Sequence, residues 1–136
     1  MEEKDYLMRE VEKIGLIMSA IGQKIFGGKG NVAITLEEQI KDAKDMLFNE
    51  VNFDLDKFLN STVKDSNKYI SSFIGFDNYN IELLANYLFQ IGLSNKSDNS
   101  KKYLEKALQL FELCNLQDKT YSFERESTIK TIKNYL

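Results

Sequence analysis

The sequence predicts an all-α protein, and three observations predict it. Every apolar run recurs at three- and four-residue spacing, and none alternates over the length of a strand. The chain has no proline, so no helix is ended or kinked by one. Polar segments at Gly27–Gly30 and Ser94–Ser100 fall between the periodic runs and punctuate them. With 136 residues and 43% hydrophobic content, the chain has the size of one ordinary domain and can hold a sizeable core. The expected layout is a single helical domain over 1–136: a helical hairpin at 1–53, short connecting helices at 54–79, and a helical C-terminal half at 80–136, five to six helices in all.

The first helix is expected over Asp5–Phe26. Leu7, Val11, Ile14, Met18, Ile21 and Ile25 form a coiled-coil-like seam. Leu16 and Ile17 widen the apolar surface beside it, and Gly15, Ser19 and Gly22 leave room for a close neighbour. The glycines from Gly27 end the helix, because glycine takes the left-handed conformation without steric cost. Thr35-Leu36-Glu37-Glu38 reads as a capping box, after which Leu36, Ile40, Ala43 and Leu47 repeat the seam spacing, so this second helix packs back on the first. Asp54 is placed to cap a short helix carrying Leu55, Phe58 and Leu59. A further short helix carries Tyr69, Ile70, Phe73 and Ile74 and stops near Gly75.

From Asn80 to Leu93 the only polar side chains after the start are Glu82, Asn86 and Gln90, at four-residue intervals. One narrow wet stripe on a helix otherwise apolar marks a central helix. In the next helix Tyr103, Leu104, Ala107, Leu108, Leu110, Phe111 and Cys114 recur at helical spacing, with the small Ala107 admitting a close neighbour. A turn at Asn115–Tyr121 follows. Ser122 then caps a last helix, with Glu124 and Glu126 at its positive end and Ile129, Ile132 and Leu136 on its buried side.

Residues 80–136 resemble the tetratricopeptide repeat. Leu84, Asn86, Tyr87 and Ile91 fall on the first helix of such a repeat, and Ala107, Phe111 and Cys114 on the second. The chain departs from the pattern at Leu88, where the repeat has glycine, in a long inter-helix loop, and in lacking proline after the second helix. The resemblance implies a helix-pair scaffold in which Asn86 holds a peptide backbone. Over nearly the whole chain the sequence is also similar to a group of small bacterial all-helical proteins of uncharacterised function. The pieces that carry this similarity are Asp5–Gly15, Lys24–Lys29, Lys106–Glu112 and Thr120–Arg125, and the group implies a fold but no activity.

Composition excludes more chemistry than it suggests. The absence of histidine removes Ser–His and Cys–His catalysis, histidine-ligated zinc and an imidazole switch. A net charge of −3 gives no basic excess for nucleic acid. The acidic start MEEKDYLMRE is not a secretory signal, and no run is long enough to span a membrane. Gly27-Gly28-Lys29-Gly30 lacks the preceding strand, glycine spacing and Ser or Thr of a phosphate loop, and reads as a helix end. Asn52–Asp56 echoes a calcium loop but has Lys57 for its glycine and Val63 for its closing glutamate. Glu38, Asp42 and Asp45 share a helix face with Lys41 and Lys44 interleaved, which is a solvated charged face. Cys114, the single cysteine, sits on an apolar face as an inert core thiol.

The expected role is a non-catalytic protein–protein interaction or scaffold module of a bacterial cytoplasm. Glu82, Asn86 and Gln90 are the candidate partner-binding residues, and Leu16 and Ile17 the candidate interface of a homodimer. No metal or cofactor is expected, and the partner is an unidentified protein or peptide rather than nucleic acid or membrane. Two other classes stay open. One is a small-molecule or metal-dependent enzyme with its site between the two halves. The other is a peripheral membrane-surface protein using the first helix, against which the balance of acids and bases on that helix argues.

Overall fold

The computed structural model describes residues 2–27, 35–94, 99–119 and 121–136. Over these residues the chain is helical and has no strand: α1 (Glu2–Phe26), α2 (Leu36–Val51), α3 (Leu55–Asn60), α4 (Val63–Ser71), α5 (Asn78–Ser94), α6 (Asn99–Gln117) and α7 (Phe123–Tyr135). There are seven helices among the described residues, slightly more than the five to six expected, with α3 and α4 separately capped at Asp54 and Thr62. The glycines Gly28 and Gly30 and most of the polar loop before α6 lie outside the described residues.

The caps explain where the helices begin. Thr35 accepts from the Glu38 amide at 3.2 Å, the threonine half of the expected capping box. Asp54 accepts from the Lys57 amide, and Ser122 from the Arg125 amide. Asn52 ends α2 at φ 61°, a left-handed conformation that asparagine tolerates. The calcium-like stretch is therefore helix punctuation.

α1 and α2 form an antiparallel hairpin, latched by Lys24–Asp42 at 3.4 Å and by Gln39 Nε2 donating to the Lys24 carbonyl. α1 has 25 residues and α2 only 16, so the start of α1 runs about 13 Å past its partner. Leu7 is accordingly 45% exposed, while Ile14, Met18 and Ile21 are buried.

A second helix, α5, lies against α1. Asn80, 1% exposed, donates both amide protons, to the carbonyls of Val11 (3.0 Å) and Gly75 (2.9 Å). The Tyr87 hydroxyl donates to the Met18 carbonyl at 2.8 Å, and a Cβ added at Gly22 would sit 2.5 Å from that hydroxyl oxygen. Gly22 is thus required for this approach. The expected α1 flank is exposed only in part. Leu16 is 73% exposed, but Ile17 is 9% exposed and belongs to the core.

The middle stretch is built around Phe53, which is fully buried with ring centroids of Phe58, Tyr69, Phe73 and Phe76 at 5.0–5.8 Å. The helix expected to carry Phe73 and Ile74 ends earlier, at Ser71. Ser72 bonds back to the Tyr69 carbonyl, and the Phe73 amide closes a tight turn on Ile70. That turn swings Phe73 and Phe76 onto Phe53. Gly75 follows, so close to α1 that a Cβ would meet the Glu10 carbonyl oxygen at 2.5 Å.

α5 and α6 pack along their length, and Ala107 at their contact is fully buried. α7 closes on α6 through Ile129 and Ile132. All seven helices contribute to one continuous apolar core, except that α7 and α4 each add only a few residues to it.

Candidate functional site

The wet stripe of α5 opens into a groove of about 260 Å³ between α5 and α7. Glu82 and Asn86, one helical turn apart, form one wall with Tyr79 at the mouth; Phe111 of α6 contributes the apolar lining, and Arg125 and Thr128 of α7 face them. Gln90, a further turn along, is exposed and does not line the groove. Two of the three expected residues are thus brought together.

The Arg125 guanidinium holds this corner of the molecule. Its side chain is 4% exposed, and its nitrogens reach Glu82 Oε1 at 2.8 Å, Asn115 Oδ1 at 3.0 Å and Asp118 Oδ2 at 3.5 Å. These partners come from α5, α6 and the turn after it, so one side chain ties three parts of the chain together. Asn115 also donates to Glu126 Oε1. The hydrogen bond that Arg125 donates to Glu82 keeps the guanidinium protonated despite its burial. With its charge paired to Glu82 and Asp118, Arg125 shapes the groove rather than offering a free cation to an incoming carboxylate.

Asn86 has spare capacity. One Nδ2 proton goes to the Glu82 carbonyl at 3.1 Å, and its Oδ1 and second proton make no hydrogen bond to a described residue. A free amide oxygen beside a free amide N–H matches the acceptor and donor of a peptide bond. Tyr79, 68% exposed, offers a ring face beside them.

Other polar groups are engaged. Between α2, α3 and the start of α6 lies a cleft of about 420 Å³ lined by Lys44, Asp56 and Tyr103, in the position expected for a site between the halves. Lys44 Nζ is 2.8 Å from Asp56 Oδ1. Burial pulls the Lys44 pKa down, but the hydrogen bond and charge of Asp56, with Tyr103 beside it, outweigh this and raise it above its usual value. An ammonium held protonated is a poor nucleophile or base. Cys114 is fully buried, its Sγ donating to the Asn78 carbonyl, and burial pushes its thiol up to about 12. Among the described residues no group of three or more carboxylates and thiols converges on a metal position.

One polar cluster was not foreseen from the sequence. Lys106, 6% exposed, gives its protons to the Ser61 carbonyl (2.7 Å), Ser66 Oγ (2.8 Å) and Gln109 Oε1 (3.0 Å). Gln109 Nε2 donates to Ser66 Oγ and Asn67 Oδ1. A lysine beside a serine invites a nucleophilic reading. Ser66, however, is fully buried and donates its own proton to the Thr62 carbonyl at 2.7 Å, so no substrate reaches it. The network instead docks α4 on α6. A signal for it was present: Lys106 lies on the same helical side as Tyr103 and Leu110.

Comparison with known proteins finds no family profile, no curated protein and no solved structure that matches this chain. No helix among the described residues is long and apolar enough to cross a membrane.

Proposed function

We propose that this chain is a non-catalytic interaction module that docks an extended segment of a partner protein in the α5–α7 groove. The observation that carries the reading is Asn86: a side-chain amide with an unspent acceptor and donor, one helical turn beyond the rigid Glu82–Arg125 clasp in a groove that an exposed tyrosine also lines. Such an amide clamps one backbone peptide group and leaves the groove walls to read side chains. A helix pair with an asparagine facing a groove is also what the tetratricopeptide resemblance implies, and a bacterial cytoplasmic setting belongs to the same proposal. Against the enzyme reading stand the paired charges of the cleft between the halves and the burial of Cys114 and Ser66.

The test is selection of random dodecapeptides on the purified protein, followed by affinity measurement of enriched peptides by fluorescence anisotropy. Asn86→Ala removes two hydrogen bonds of about 1 kcal/mol each and is expected to weaken binding about 10- to 30-fold. Gln90→Ala is expected to leave it unchanged. Peptides that bind Asn86→Ala and Tyr79→Ala as tightly as the native chain would overturn the proposal.

A further inference from the structure

The α4 side of α6 carries a second surface, which shares no lining residue with the α5–α7 groove. Two clefts of about 450 and 360 Å³ run along α6 and share Val63, Glu105 and Gln109. α4 has 9 residues and α6 has 19, so α4 covers about half the length of its neighbour. The uncovered face reads Lys101, Glu105, Leu108, Glu112 and Leu116, spaced to lie on one side of the helix. Leu116 is 78% exposed and Val63 61%, far more than isolated core-type side chains need be.

Charge along this face is segregated, and with the unfavourable polarity. Lys101 and Lys102 lie in the first turn of α6, where the helix dipole favours anions; Glu112 lies in its C-terminal half, where the dipole favours cations. Lys101 reaches Glu105 only at 3.9 Å, and Lys102 has only the neutral Asn60 Oδ1 at 2.6 Å. Glu112 makes no ion pair among the described residues.

We propose that a second copy of this chain docks on this face, α6 antiparallel to α6, about a two-fold axis level with Ala107. The antiparallel alignment sets Lys101 and Lys102 of each copy against Glu112 of the other. Symmetry makes each such contact twice. It also opposes the two helix dipoles, and it covers Leu108 and Val63. The order of charges is self-complementary, so a copy of the chain supplies the matching partner.

Sedimentation equilibrium of the intact chain at 5–200 µM tests this. The expected mass is twice the 15.8 kDa of the chain. Glu112→Lys, and separately the double change Lys101→Glu with Lys102→Glu, are expected to give monomers of native helicity, since all three positions are exposed. Mixing the two variants restores opposite charges at both ends and is expected to return the dimer mass. A native chain at 15.8 kDa throughout, or a mixture that stays monomeric, overturns the proposal. So does a dimer that Leu16→Glu dissociates and Glu112→Lys does not.

Discussion

Raising the pH from 8 to 10 removes stability that a single buried thiol contributes. Cys114 is fully buried among α6 neighbours, and its pKa is raised from 9.0 to about 12, chiefly because burial disfavours the thiolate. The nearby Arg125 pulls the other way, and Glu82 and Asp118 add to the rise. In the unfolded chain the thiol ionises near 9; in the folded chain it stays protonated. The contribution is therefore fully present below pH 9 and lost progressively as pH rises toward the folded value. Three pH units correspond to about 4 kcal/mol in all, of which about 1.4 kcal/mol is gone by pH 10. Other groups titrate in this range. Burial lowers the Lys106 pKa, which adds stability as pH approaches 10.5, and raises that of Tyr87, which removes stability above 10. Comparison with Cys114→Ala isolates the thiol. Urea unfolding followed by circular dichroism in reducing buffer, at constant ionic strength, should show the native chain losing about 1.4 kcal/mol more than the variant between pH 8 and pH 10. The same burial predicts that Ellman's reagent labels Cys114 only upon unfolding. Parallel pH profiles for the two proteins, or rapid labelling of the native chain, would refute the reasoning.

Ala107→Trp is expected to cost at least about 1–3 kcal/mol, because Ala107 is fully buried at the α5–α6 contact; thermal melting reads this as a lowered Tm. Lys106→Met should cost about 1–3 kcal/mol in urea unfolding, since it leaves Gln109 Oε1 and the Ser61 carbonyl without their donor while removing the desolvated charge. Gly75→Ala should cost a similar amount and raise amide exchange in α1 near Glu10, because its new methyl group would displace the turn from α1.

The helical class was legible because apolar spacing reports which side of a helix is covered, and the caps were legible because Thr35, Asp54 and Ser122 each precede a periodic run. What spacing does not report is how many helices share a cover. Ile17 reads as a spare flank beside the seam, yet α5 meets α1 at Val11, Met18 and Gly22, and Ile17, one heptad before the Lys24 that pairs with α2, is buried. Asn80, Lys106 and Gln109 were hidden for a different reason. A hydrophobic pattern scores them as wet, whereas each is buried with its donors satisfied by groups distant in sequence. The early end of α4 follows from the demand of Phe53 for Phe73 and Phe76, a tertiary requirement invisible to local periodicity. At the groove, the Glu82–Asn86 pair was read from its stripe, but the loss of Gln90 depends on where α7 stops covering α5.

The central claim, that the α5–α7 groove is where this protein meets its partner, is tested most directly by amide chemical-shift mapping with a selected dodecapeptide. Saturable shifts are expected in the groove alone, strongest at Tyr79, Glu82, Asn86 and Thr128, with Asn86→Ala needing about 10- to 30-fold more peptide to reach them. Saturable shifts centred instead on the cleft around Lys44 and Asp56, with the groove residues unmoved, would contradict it.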